Sequence, residues 1–238
     1  MRLLDTLTGQ FVEKDPRTTT YAILSHTWDE TQQTYQEVLK VQESYDSDGR
    51  LRSPFASVYR AIRYLHRLRF TTRTEAHRSP TTSLSLDAGA SNASLKRPLA
   101  EPGVTSIWYD SRLSPKVVNA CAFARKSGYR FLWIDSCCID KTSSSELSES
   151  INSMFQWYAG SAVCYTFLAD VPPSQDPSAE ESRFRRSRWF TRGWTLQELI
   201  APSELLFLSS GWDVIGSKRQ LSTLVEEVSG VDREALLR

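Results

Sequence analysis

Tyr21-Ala22-Ile23-Leu24-Ser25-His26 is a short apolar run that closes on two polar side chains. Its length suits a strand rather than a helix. Its unbroken apolar character suits a strand covered on both faces. Three further runs repeat the pattern: Phe131-Leu132-Trp133-Ile134-Asp135, Ala162 to Leu168, and Leu205-Leu206-Phe207-Leu208. Helical patterns lie between them. Ser114 to Ser127 presents Val117, Val118, Cys121 and Phe123, with Gly128 as its stop. Ser145 to Tyr158 presents Leu147, Ile151, Met154, Phe155 and Tyr158 on one face, with Ser145 as cap and Gly160 as its end. Buried strands alternating with helices give an α/β domain with a mostly parallel central sheet flanked by helices. Ligands of such sheets bind at the carboxyl ends of the strands, which brings Ser25, His26, Asp135 and Asp170 to one edge.

The remaining segments are less regular. Thr31 to Val41 reads as a loop and a surface helix. Pro54 to Phe70 reads as an amphipathic helix with Arg60, Arg63 and Arg67 on its outer face. Thr71 to Gly103 is rich in Ser, Thr, Ala, Pro and Gly, the composition of a flexible surface insertion within one domain spanning 1–238. Arg192 to Ile200 reads as a short helix, and Ser217 to Arg238 as a helical end. That end carries no stop signal, as expected of the N-terminal part of a longer protein.

Composition narrows the function classes. The 238 residues carry 29 basic and 28 acidic side chains, a net charge of +1. That balance argues against nucleic acid or an anionic membrane as partner. The run Arg183-Phe184-Arg185-Arg186-Ser187-Arg188 is too short to reverse it. No apolar run approaches the ~20 residues that span a bilayer, and the first residues lack a secretory apolar core. A soluble, cytoplasmic protein is expected. Cys121, Cys137, Cys138 and Cys164 have no CxxC spacing with downstream histidines, so buried reduced thiols are expected and no metal site.

Three blocks carry a family resemblance: Tyr21 to Trp28, Gly128 to Asp140, and Arg188-Trp189-Phe190-Thr191-Arg192-Gly193-Trp194-Thr195-Leu196-Gln197-Glu198-Leu199. In order and spacing they resemble the signature segments of the HET (heterokaryon incompatibility) domain of fungal cell-death proteins, over roughly 21–211. Asp140 and Lys141 depart from the pattern, standing where many relatives carry a glutamine after the cysteine–isoleucine pair. The resemblance implies an effector of programmed cell death in non-self recognition, fused to or associated with sensor and nucleotide-binding domains. More distantly, Trp194 to Leu199 is similar to a TIR-domain segment. That likeness implies a TIR-like (flavodoxin-like) fold with insertions, activation as a homo-oligomer, and hydrolysis of NAD as substrate with no cofactor.

On that likeness Glu198 is the expected catalytic residue. Breaking the nicotinamide–ribose bond builds oxocarbenium-like charge on the ribose, which one carboxylate can stabilise. Ser25, His26, Trp28, Asp135, Trp189 and Arg192 are the expected substrate-binding residues. Trp28 or Trp189 would stack on a ring, and Arg192 or Arg188 would hold pyrophosphate. The alternatives stay open. Glu198 can instead be a helix-surface carboxylate paired with Arg192 or Arg188, and the lack of a glycine-rich phosphate loop or a complete catalytic constellation fits a non-enzymatic adaptor that oligomerises and recruits a partner. Trp133 and Trp194 are expected in the core.

Overall fold

The four apolar runs form adjacent strands because continuous burial demands cover on both faces. They are β3 (Ala22–His26), β4 (Phe131–Ile134), β5 (Val163–Phe167) and β6 (Leu205–Leu208) in the computed structural model, which describes residues 1–29, 32–52 and 106–237. All four run parallel, in the order β4-β3-β5-β6. In chain order that is second, first, third, fourth. The order reverses between β3 and β5, where open α/β sheets bind their ligands.

Three strands escaped the sequence reading: β1 (Arg2–Asp5), β2 (Phe11–Glu13) and β7 (Val214–Ser217). They pair antiparallel at the two edges, β1 with β2 and β4, and β7 with β6. The seven-stranded sheet, β2-β1-β4-β3-β5-β6-β7, is therefore mixed: three of its six pairings are antiparallel. The α/β expectation holds, while "mostly parallel" describes only the centre. The β1–β2 connection turns at Gly9, at φ +70, where an added Cβ would lie 2.5 Å from Ile107 Cγ2. Only glycine combines that backbone with so close an approach.

The helices are capped as their sequences allow. Thr34 forms a capping box with Glu37 at the start of α1 (Tyr35–Gln42). Ser114 caps α2 (Pro115–Lys126), with Pro115 in its first turn, and Gly128 follows at φ +89. Asp135, read as the end of the strand, opens a single helical turn, α3 (Asp135–Cys138). Helix α4 (Ser144–Ala159) is capped by Ser143, not Ser145. The helix expected over Arg192 to Ile200 forms from Thr195, as α5 (Thr195–Ile200), and a 3-10 turn at Arg188–Thr191 precedes it. The chain end divides into α6 (Ser222–Ser229) and α7 (Arg233–Leu236), because Gly230 at φ +71 ends the first.

Trp133 sits fully buried at the centre of the sheet, edge-on to Trp157 and Tyr158. All four cysteines are buried and unpaired. Among the described residues no helix is long and apolar enough to cross a membrane. The expected helix at 54–70 and insertion at 71–103 lie outside the described residues.

Candidate functional site

Two hydrogen-bonded clusters meet at the carboxyl ends of β3 and β4. The first is centred on Glu198, only 3% exposed although it lies on a six-residue helix. Its Oε2 accepts from Ser25 Oγ at 2.6 Å and from Arg192 at 3.1 Å, and its Oε1 accepts from Arg192 at 3.3 Å. Ser25 in turn accepts from the indole N–H of Trp189 at 2.7 Å. The second cluster is centred on Asp135. Its Oδ1 lies 3.0 Å from His26 Nε2, and its Oδ2 accepts from the Trp28 indole at 2.8 Å. His26 Nδ1 faces the Thr27 carbonyl at 3.1 Å.

The two carboxylates have opposite electrostatic surroundings. Burial raises the Glu198 pKa above the ordinary glutamate value, and Arg192 and Ser25 only partly offset it. Burial also works against Asp135, yet His26 and the Trp28 N–H hold its pKa below the usual carboxylate range. Pairs of carboxylates pushed apart in this way mark functional sites more often than chance.

Both clusters border one cleft of about 310 Å³, lined by Trp28, Asp135, Ile139, Lys141, Leu147, Ile151, Met154, Arg192, Trp194 and Glu198. Of the seven site residues read from the sequence, Trp28, Asp135, Arg192 and Glu198 face this cleft. Ser25, His26 and Trp189 stand behind it, buried, each bonded to a residue at the cleft or to one another.

Two assignments of the tryptophans change. Trp189 is 0% exposed, packed edge-on against Phe190 and Phe207, so it offers no ring face to a ligand. Trp194, expected in the core, is 49% exposed and lines the cleft. Asp170 is turned elsewhere: it accepts from Ser187 Oγ and the Arg188 amide, capping the 3-10 turn. Arg188 is largely exposed beside it and does not line the cleft. Glu198 is paired with Arg192, but as a buried carboxylate and not a surface one.

The sequence reading also missed the apolar wall. The spacing on α4 put Leu147, Ile151 and Met154 on one face without saying what it meets; Leu147 and Met154 pack partly against the core, all three line the cleft, and Ile151 and Phe155 are exposed. An apolar helix face announces that it will meet something, not what. Among the described residues no group of three His, Cys, Asp or Glu side chains is placed to hold a metal ion.

Lys218 fixes the helix that carries Glu198. Its buried ammonium donates to the Leu199 carbonyl at 3.2 Å and the Pro202 carbonyl at 2.6 Å, at the end of α5. Burial pushes its pKa down. No other protein donor among the described residues reaches these carbonyls. Lys218→Met keeps the volume but strands both, a loss of about 1–3 kcal/mol. Urea unfolding should show a lower midpoint with an unchanged slope. An unchanged midpoint would deny Lys218 this role.

With this geometry in hand, comparison with known proteins is informative. Residues 83–183 match the family model described as Heterokaryon incompatibility protein (HET). Vegetative incompatibility protein HET-E-1 of Podospora anserina is 45% identical over 132 residues, 53% of this chain and 10% of that protein. The chain thus spans about a tenth of the length of this curated relative. No solved structure matches the chain.

Proposed function

We propose, on the premise that this chain belongs to the heterokaryon incompatibility (HET) family, that it is a cytoplasmic effector of fungal programmed cell death acting by NAD hydrolysis. In this reading self-association activates it, and sensor or nucleotide-binding domains joined to it or associated with it supply the trigger. The role in incompatibility rests on the family and on the relative named vegetative incompatibility protein.

The observation that carries the catalytic part is the Glu198 carboxylate, buried at the inner side of a cleft and shared with Ser25 and Arg192. Breaking the nicotinamide–ribose bond leaves the electron pair on nicotinamide, which departs neutral, and positive charge on the ribose. A carboxylate held in low dielectric stabilises that charge. Water then adds to the anomeric carbon and releases a proton, giving ADP-ribose. Glu198 Oε1 accepts one hydrogen bond here and retains capacity for a ribose hydroxyl. Trp28 and Trp194, both about half exposed, flank the cleft; Lys141 sits over one face of Trp28, which leaves Trp194 as the platform for a planar ring. The order of the four parallel strands is the flavodoxin-like order with its switch point at Ser25, which supports a TIR-like architecture.

A specific observation favours a second reading. Trp28, Ile151, Phe155, Trp194 and Leu196 are large apolar side chains that are all exposed. They suit a non-enzymatic module that oligomerises and recruits a partner. One assay separates the two. Concentrated protein is incubated with NAD and free nicotinamide is measured against protein concentration. The enzymatic reading expects release that rises more steeply than in proportion to protein. Absence of release where the protein has self-associated selects the adaptor.

A further inference from the structure

Lysines that leave the surface normally bring a partner with them, because an ammonium loses three hydrogen bonds to water. Three lysines among the described residues are not exposed: Lys116, Lys141 and Lys218. Lys116 donates to Asp29 Oδ2 at 2.6 Å, and Lys218 to two carbonyls. Lys141 differs. Its Nζ lies 3.5 Å from the centroid of the Trp28 ring, and no oxygen among the described residues accepts from it. It stands in the cleft wall, in the connection between α3 and α4.

The other charges of the cleft are already matched. Asp135 is held by His26 and Trp28, and Glu198 by Arg192 and Ser25. Lys141 is therefore the lining charge whose hydrogen-bonding capacity is unspent. The indole face beneath it fixes its position, since a cation over tryptophan is held electrostatically without consuming its N–H donors. Burial pushes its pKa down, partly offset by the nearby Asp135 carboxylate.

We propose that Lys141, seated on Trp28, is an anion subsite of this cleft that takes a phosphate group of the ligand. An ammonium is a compact point charge suited to tetrahedral phosphate, which needs no planar fork. The proposal deepens the reading of the cleft as a nucleotide site and rests on it for the identity of the ligand, though not for the anion.

The test is direct binding, by calorimetry and by quenching of tryptophan fluorescence, for wild type, Lys141→Met and Lys141→Arg. The probes are inorganic pyrophosphate, NAD, and nicotinamide riboside, which lacks phosphate. Lys141→Met keeps an apolar stem on Trp28, and equal melting temperatures confirm that the variants fold. The expected result is about tenfold or greater loss of pyrophosphate and NAD affinity in Lys141→Met, the scale of one charge-assisted contact. Lys141→Arg should retain most of it, and riboside binding should not change. Equal pyrophosphate binding by wild type and Lys141→Met, or none by wild type, overturns the subsite. Lysine-dependent pyrophosphate binding without any binding or cleavage of NAD upholds the subsite and sinks the NAD reading instead.

Discussion

Under the proposed NAD hydrolysis, Glu198→Gln is expected to give a folded protein whose nicotinamide release falls about a hundredfold or more, the scale of losing one preorganised electrostatic contact. The substitution keeps shape and keeps an acceptor for Ser25, but removes the charge that opposes the developing ribose cation. Stability should move the other way. Burial raises the Glu198 pKa, so the folded state binds this proton more tightly than the unfolded chain does. The resulting stabilisation is fully present below the unfolded pKa and is lost as pH rises through the folded one. Above its folded pKa the wild type therefore carries the cost of a buried ionised carboxylate. The glutamine variant does not, and partly exposed Arg192 can turn to water once its partner is neutral. Thermal melts at neutral pH should place Glu198→Gln at or above wild type, with the gap closing on acidification. Wild-type kcat should fall on the acid side with a midpoint above the ordinary glutamate range. Normal nicotinamide release by the variant would remove Glu198 from catalysis. Full cell killing by a folded variant would reject the enzymatic mechanism and favour the adaptor.

A less stable glutamine variant would point instead to a structural carboxylate, whose worth lies in its pairing with Arg192. Buried pairs whose partner is removed are commonly destabilised, so the sign of the shift decides between the two roles. The motif and the fold meet at this point. The short helix α5 would not by itself bury a glutamate. Ser25 at the end of β3, the Trp189 indole behind it and Lys218 beneath the helix end hold it in place.

What could be read from the sequence follows from how strongly burial constrains each segment. Strands β3 to β6 are mostly apolar and almost wholly buried because both their faces are covered, and such runs stand out. Edge strands have no such requirement. Phe11-Val12-Glu13 and Val214-Ile215-Gly216-Ser217 are short and part-exposed, so nothing separates them from loops until a partner strand is known. Ser25, His26 and Asp135 were legible because polar residues ending buried strands collect at one sheet edge. The two tryptophans of Trp189 to Trp194 were not. The segment changes from a 3-10 turn to an α-helix between them, and no single period tells which ring faces inward. What covers the open face of α4 was not legible for a related reason. Spacing identifies a stripe, but whether core, ligand or partner covers it depends on what the rest of the chain leaves uncovered.

Trp189 offers a test of that distinction, since the structure gives it a supporting role where the motif suggested stacking. Truncating so large a buried ring is costly. Trp189→Ala should lose about 3–5 kcal/mol, against a total of roughly 5–15 kcal/mol for a domain. Urea unfolding should show a sharply lowered midpoint, and expression in soluble form should suffer. Trp189→Phe is the informative companion. It preserves much of the packing against Phe190 and Phe207 but removes the N–H that reaches Ser25. Ser25 then keeps its bond to Glu198 without the donor that fixes its own orientation. The stability loss should be smaller, the hydrogen-bond part being about 0.5–1.5 kcal/mol. The kinetic consequence should fall on kcat, through a less firmly held carboxylate, with KM for NAD unchanged. A ligand ring stacked on Trp189 would give the opposite split, a raised KM with kcat preserved. That outcome would require the indole to leave its buried position on binding, and would return Trp189 to the substrate-binding set.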